Sequence, residues 1–446
     1  MKRSYYNVVS KLDDDTSLLY NTYWESLAVL DEDELAAYRE VESASEDELQ
    51  SPLMCQLAQQ HFIIDDPEDE ADWIQYEYEK DKFNNRVFEL VICPTIDCNF
   101  RCPYCYEKKR PGMMPLNIQD AVVRFVKESY EELPFLEMRV TWYGGEPLLG
   151  ADVIEYLSGH FLSFCEEHGI PYHASIMTNG SLADKCMMDR MYACGVKSMM
   201  ITFGGKGELH DRQRPSVDGS PTYETILENT KRILADGTPV NIECVYDSEN
   251  LESLVELAGD FARGENSENV YMHYPYPKTD YNNDLVDEDG NQLFDLKAQL
   301  KQRASAFEQL HFAAGFDSKR WHSIIRPLHH FCGAHTERDY IIDELGGVYK
   351  CMCDMDKPET HQIFNVLDDP DKRKFNLKKL MYYMSYNPVR SKPCRTCRVM
   401  PICKGSCFID HDPERYWVPT SCHPIKVAIA DYVRAYYEAL VEEGRI

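Results

Sequence analysis

Between residues 86 and 274 a short apolar segment rich in β-branched and aromatic residues recurs six times, and longer segments with apolar residues at helical spacing separate successive ones. The short segments predict strands over 87–93, 138–143, 172–177, 198–203, 240–246 and 269–274. Helices are predicted over 118–132, 153–167, 182–193, 223–235 and 251–262, with Gly169, Gly195, Gly237 and Gly264 where helices should stop. Strand–helix units in succession imply a parallel α/β sheet, because each crossover returns the chain to the same end. Six units fit either a barrel or a doubly wound sheet, and periodicity does not choose between them. In both, ligands bind at the C-terminal strand ends.

Two regions flank this core. Residues 1–85 begin with a hairpin-like pattern (5–9, then 17–30). A helix capped near Asp31, a second helix near 53–60, a short strand over 62–64 and an acidic loop over 65–72 follow. This reads as a small α+β module of winged-helix size. Beyond a core of 86–280, residues 281–330 form a polar linker around a helix near 293–310. Residues 331–446 are rich in Cys, Pro and Gly up to a closing helix at 425–442, as expected of a fold organised by metal.

The net charge of −29 argues against a nucleic-acid partner, which needs a basic footprint. Residues 1–85 carry 22 acidic against 6 basic side chains, a net −16, which suits a solvated surface or a docking face for a basic peptide. No apolar run reaches membrane-spanning length and the N-terminus lacks a secretory pattern, so a cytoplasmic protein is expected. In that reducing compartment the 17 cysteines are not disulfide material, and clustered ones point to metal. Cys165, Cys186, Cys194 and Cys244 lie singly in apolar segments and read as small core residues, with Cys55 alongside them.

The loop after the first strand reads Cys98-Asn-Phe-Arg-Cys102-Pro-Tyr-Cys105. Three thiolates on one short loop can hold three corners of a 4Fe–4S cluster, leaving the fourth iron open to a ligand. A zinc site completed by Cys93 or a histidine is the competing reading, although zinc sites usually pair C-x2-C with a second ligand pair.

This motif, its position after the first strand and Tyr104 before its third cysteine resemble the radical S-adenosylmethionine (SAM) superfamily. The resemblance implies a partial (β/α)6 barrel. It implies that SAM chelates the open iron and is cleaved by one electron to a 5′-deoxyadenosyl radical, which takes hydrogen from a substrate. Strand two ends Gly144-Gly145-Glu146-Pro147, similar to the family motif that contacts the SAM amino group: glycines for close approach and a carboxylate for an ammonium. Thr178-Asn179, after strand three, matches where relatives contact the ribose. Arg214 is placed as a contact for the SAM carboxylate. Relatives carry an aspartate where Gly204 stands, so strand four is given no role in binding.

The later cysteines, Cys332, Cys351, Cys394, Cys397, Cys403, Cys407 and Cys422, are spaced as in the SPASM extension of radical SAM enzymes that mature peptides. By position the resemblance assigns Cys394, Cys397, Cys403 and Cys422 to one auxiliary 4Fe–4S cluster and Cys332, Cys351 and Cys407 to another, three clusters in all. Zinc knuckles are what the spacing alone would also allow. No cysteine stands just upstream of Cys332, so the second auxiliary cluster takes Cys353, His329 or His330, or keeps an open iron. The open iron is the favoured expectation, because a thiolate two residues along the same strand would have to reach around the cluster.

Sulfatase maturases place a catalytic aspartate where this chain has Met352, which disfavours formylglycine formation. The expected activity is maturation of a ribosomally made precursor peptide through a thioether crosslink, with a carbon–carbon crosslink as the alternative. The N-terminal module would bind the precursor's leader, and a flavodoxin or ferredoxin would supply electrons. No catalytic base is legible. An iron–sulfur electron carrier is the reading without chemistry of its own.

Overall fold

In the computed structural model the six strands form as Val87–Thr95, Glu137–Gly144, Tyr172–Thr178, Val196–Phe203, Val240–Cys244 and Val270–His273, parallel and paired in chain order. The structure describes residues 1–246, 249–274, 296–313, 315–328, 332–407, 411–412, 418–419 and 422–446. His329 and His330 lie outside them.

Burial alternates along the strands. In strand two Met138, Val140 and Trp142 are buried beneath the helices, while Thr141 and Tyr143 remain partly accessible on the opposite face. The crossover helices Leu116–Glu132, Ala151–His168, Lys185–Ala193, Tyr223–Ala235 and Leu251–Arg263 cover the first face. Gly169 closes its helix in the left-handed region at φ 65°, as predicted, whereas Gly264 is extended at φ −74°.

The sheet is the partial barrel that the resemblance implied, with an addition. Asp339–Ile342 pairs parallel to strand one on its free edge, and Gly347–Tyr349 and Phe364–Asn365 follow antiparallel. Four and fewer residues give no readable periodicity, so these strands are invisible in the sequence. Residues 333–385 therefore belong with the barrel unit (Phe83–Leu293 and Gly333–Ser385), and not with the cysteine-rich C-terminus.

The other unit joins Met1–Lys82, Phe294–Cys332 and Tyr386–Ile446. Asn7–Lys11, Thr16–Asn21 and Leu27–Asp31 form a three-stranded antiparallel sheet. Asp31 caps the helix Glu32–Arg39 in a capping box with Glu34. The short helix Glu46–Leu49 and then Pro52–Gln59 follow, and a fourth helix, Pro67–Lys82, replaces the expected acidic loop: its acids are a first turn of Glu68, Asp69 and Glu70, which complement the helix dipole, and Ile74 and Tyr78 bury its inner face.

This module is not a detachable cap. Val8, Leu18 and Tyr20 share one core with Trp321 and Ile325 of Ser318–Ile325 and with Ile425, Ile429 and Tyr432 of the closing helix Ile425–Glu442. Thr22 Oγ1 donates to the Arg398 carbonyl at 2.6 Å, and Arg395 pairs with Glu68 and Asp72. The helix expected in the linker, Leu296–Ala313, is part of the same unit. Hydrophobic burial makes these distant segments cooperative, which a linear division into domains cannot show.

Cys165, Cys194 and Cys244 are core residues, but Cys55 and Cys186 are exposed. Their helices bury Met54 and Leu57, and Met188 and Met191, so each cysteine falls one or two residues off the apolar stripe. Among the described residues no helix is long and apolar enough to cross a membrane.

Candidate active site

The C-terminal strand ends surround a cavity of about 410 Å³. Cys98, Cys102, Tyr104 and Cys105 from the loop after strand one line it, with Gly144 and Gly145, Thr178 and Asn179, Thr202, Glu243 and His273 from strands two to six, and Arg214. Of the residues expected to contact SAM, only Glu146 and Pro147 do not line it.

Glu146 shows why. It is 0% exposed, and its carboxylate accepts from Thr178 Oγ1 at 2.7 Å, the Asn179 N–H at 2.8 Å and the Leu148 N–H at 3.0 Å. Both oxygens are used inside the protein, so the side chain ties strand two to strand three and is not turned to an ammonium. Pro147 opens the short turn Pro147–Gly150 and is buried.

The two glycines permit a close approach, but of the protein to itself. A Cβ on Gly144 would meet the Thr95 carbonyl oxygen at 2.2 Å, and one on Gly145 the Asp97 oxygen at 2.1 Å. Gly144 is also at φ +117°. The Gly145 and Glu146 N–H groups donate to the Thr95 and Asp97 carbonyls at 3.1 and 2.9 Å, stitching this turn to the loop that carries the cysteines.

The cysteine loop suits thiolates. Cys98 Sγ accepts from the Phe100 N–H at 3.3 Å and from Asn179 Nδ2 at 3.9 Å. Burial pushes the Cys98 thiol up, against the Phe100 N–H and the nearby Lys109 charge. Lys109, paired to Glu107 at 3.0 Å, also faces Cys105. Among the described residues no three His, Cys, Asp or Glu side chains are drawn together as one ion would require. The donor set, its N–H donors to sulfur and the adjoining cavity fit an iron–sulfur cluster with SAM beside it.

Across the cavity, Arg214 Nη1 donates to Tyr104 Oη at 2.7 Å, and burial pushes the Tyr104 hydroxyl up to about 12. Arg214 is held by the helix Gly207–Gln213 through its N–H to the His210 carbonyl at 2.7 Å. Glu243 accepts from Thr202 Oγ1 at 2.8 Å, and His273 Nδ1 lies 3.6 Å from its other oxygen. Burial opposes its ionisation, but the His273 and Thr202 contacts and the Arg214 charge outweigh it and hold the carboxyl below its usual range. Strand four, given no role from sequence, thus supplies Thr202. Glu243 is not singled out by the sequence either, although an acid near the C-terminal end of the strand Val240–Cys244 falls where barrel sites form.

Residues 92–261 match the family model of the radical SAM superfamily. This is a radical SAM domain. GTP 3′,8-cyclase of Aliarcobacter butzleri is 28% identical over 169 residues, 37% of this chain and 48% of that protein. The chain thus spans about half the length of that relative. The radical SAM cyclopropyl synthase TigE of Paramaledivibacter caminithermalis is 21% identical over 378 residues, 78% of this chain and 74% of that protein. Among solved structures, native anSMEcpe with bound AdoMet superposes with a TM-score of 0.53 at 16% identity, covering 80% of this chain and 98% of that one, a likeness of fold.

Outside the radical SAM motif the cysteines fall in both units. Cys394, Cys397, Cys403 and Cys422 line a second cavity in the N- and C-terminal unit. Cys332, exposed, and Cys407, half-buried, belong to that unit, while Cys351 belongs to the barrel unit. Neither cysteine is on a strand: the strand ends at Tyr349, Cys351 precedes the turn Met352–Asp354 and Cys353 lies within it. The steric objection to Cys353 as a neighbouring ligand therefore falls. Met352 lines the radical SAM cavity.

Proposed function

We propose that this chain is a radical SAM enzyme that installs a thioether crosslink in a ribosomally made precursor peptide. The cavity on which the Cys98 loop and the ends of strands two to six converge carries the reading. Its volume suits a small-molecule cofactor. In this proposal Cys98, Cys102 and Cys105 hold a 4Fe–4S cluster, and Tyr104, Gly144, Gly145, Thr178, Asn179 and Arg214 surround SAM. Cluster and SAM together would supply the one-electron chemistry that generates a carbon radical. The protein's own part is to orient them and keep water out: the Glu146 bridge and the glycine turn fix the loop, and Met177, Met200 and Val245 make part of the wall apolar.

Four further cysteines around a second cavity support an auxiliary cluster on Cys394, Cys397, Cys403 and Cys422, and Cys332, Cys351 and Cys407 are proposed for the other. The likeness to TigE extends well past the radical SAM domain, and the PqqA peptide cyclase of Granulibacter bethesdensis, 24% identical over 167 residues, supports a peptide as substrate. The outer strand Leu27–Asp31 of the N-terminal sheet, with Val29 42% exposed, offers an edge to which a leader could add. A flavodoxin or ferredoxin is the proposed electron donor. TigE's name, a cyclopropyl synthase, favours the carbon–carbon crosslink as the second reading.

The test is anaerobic incubation of the reduced, iron-loaded full chain with SAM and the peptide of a neighbouring short cysteine-rich gene. We expect 5′-deoxyadenosine and a precursor lighter by two hydrogens with one fewer alkylatable thiol. The same mass loss with every thiol still alkylatable would establish the carbon–carbon reading. Absence of 5′-deoxyadenosine would leave an electron carrier.

A further inference from the structure

We infer that Lys426 sets the reduction potential of the iron–sulfur group proposed on Cys394, Cys397, Cys403 and Cys422, holding it more easily reduced than the four thiolates alone would. The inference rests on the reading that these cysteines bind a cluster.

Lys426 Nζ lies 3.5 Å from Cys422 Sγ, and its side chain lines the same cavity as the four thiols. No carboxylate is among the described residues lining that cavity; the rest are apolar or neutral side chains such as Val399, Met400 and Ser406. His423 lines it as well, with its Nδ1 accepting from the Ile425 N–H at 3.2 Å, which occupies that nitrogen at the helix start. Among the described residues lining the cavity, Lys426 is thus the fixed positive charge.

Its position in the fold is otherwise unfavourable. It is the second residue of Ile425–Glu442, an 18-residue helix, and a helix start carries positive partial charge that disfavours a lysine. Its side chain is half-buried as well, yet its Nζ is directed at Cys422 Sγ in the cavity that Cys394, Cys397 and Cys403 also line. A cation held against sulfur where the helix start repels it is the arrangement that a set of thiolates on a cluster would favour.

One-electron reduction adds a negative charge to an iron–sulfur group. An ammonium a few ångströms away in a partly apolar pocket stabilises the more negative state, because Coulomb interaction is screened less there than in water. The helix start acts with the same sign.

The experiment compares wild type, Lys426→Gln and Lys426→Arg as full chains, in a background with Cys98, Cys102 and Cys105 changed to Ala to silence the first cluster. Each is reconstituted, its iron counted, and reduced stepwise with dithionite while electron paramagnetic resonance is recorded. At the poise that half-reduces the wild-type group, Lys426→Gln should show a reduced-to-oxidised ratio about tenfold lower, or about 59 mV for one electron. Lys426→Arg should stay near wild type. An unshifted midpoint in Lys426→Gln with iron intact would overturn the role of Lys426. If Lys426→Gln loses iron, Lys426→Met, which keeps the aliphatic stem, is read the same way. Loss of the Cys394, Cys397, Cys403 and Cys422 thiols without loss of iron would instead overturn the reading of the site itself.

Discussion

Changing Glu146 separates two roles that its motif leaves open. The carboxylate accepts two backbone N–H groups and one hydroxyl, all at 3.0 Å or less, and is shut off from solvent. Glu146→Ala strands these donors where water does not reach them. A buried unsatisfied group costs about 1–3 kcal/mol, and the Thr178 hydroxyl can turn to another acceptor, so the loss should total about 3–5 kcal/mol. Against a usual total of about 5–15 kcal/mol that is a large fraction. Glu146→Gln keeps one oxygen but opposes its amide to the Asn179 N–H, and should cost about 1–3 kcal/mol. Hydrogen exchange followed by mass spectrometry over 137–150 and 172–181 reads this locally. At about 1.4 kcal/mol per tenfold, Glu146→Ala should lower protection there by roughly a hundredfold or more. SAM binding by calorimetry completes the test. Unchanged protection with lost SAM affinity in Glu146→Gln would return the carboxylate to the ligand and refute the bridge.

Changing Cys98, Cys102 and Cys105 together to Ala should abolish 5′-deoxyadenosine formation and remove one cluster's iron while the rest remains, checked by chromatography and iron assay. If Cys353, in the turn that follows Cys351, is the fourth ligand, Cys353→Ala should remove iron and charge-transfer absorbance from the second auxiliary cluster; an intact spectrum that shifts only with a cysteine-containing precursor would establish an open iron instead. His210 is buried between Phe203 and Tyr223, where burial, with the Arg214 charge, holds its pKa down to about 3. Its contribution to stability is complete above the unfolded pKa of about 6.5 and is lost as pH falls towards 3, about 1.4 kcal/mol per unit, or about 2 kcal/mol by pH 5. His210→Gln should flatten the dependence of urea midpoints on pH between 7 and 5, and an unchanged slope would refute it.

The alternating barrel, its helices and the cysteine loop were legible in the sequence because each is written locally. Six apolar runs of strand length, the Asp31 cap and three cysteines within eight residues need no distant partner to be read. What the strand ends put into the cavity was not legible. Thr202, Glu243 and His273 lie on separate strands, far apart in the chain, and only parallel pairing in register brings them to one side. The sequence could place Glu146 in its motif but not choose between a ligand and a donor set 32 residues away. Likewise it could count the later cysteines but not see that 333–385 extends the barrel while 386–446 packs with the N-terminal module. Local chemistry and periodicity determine which elements form and which loop carries the thiols. Burial and hydrogen-bond satisfaction among residues distant in the chain decide which side chains face the cavity, and only tertiary structure records those choices.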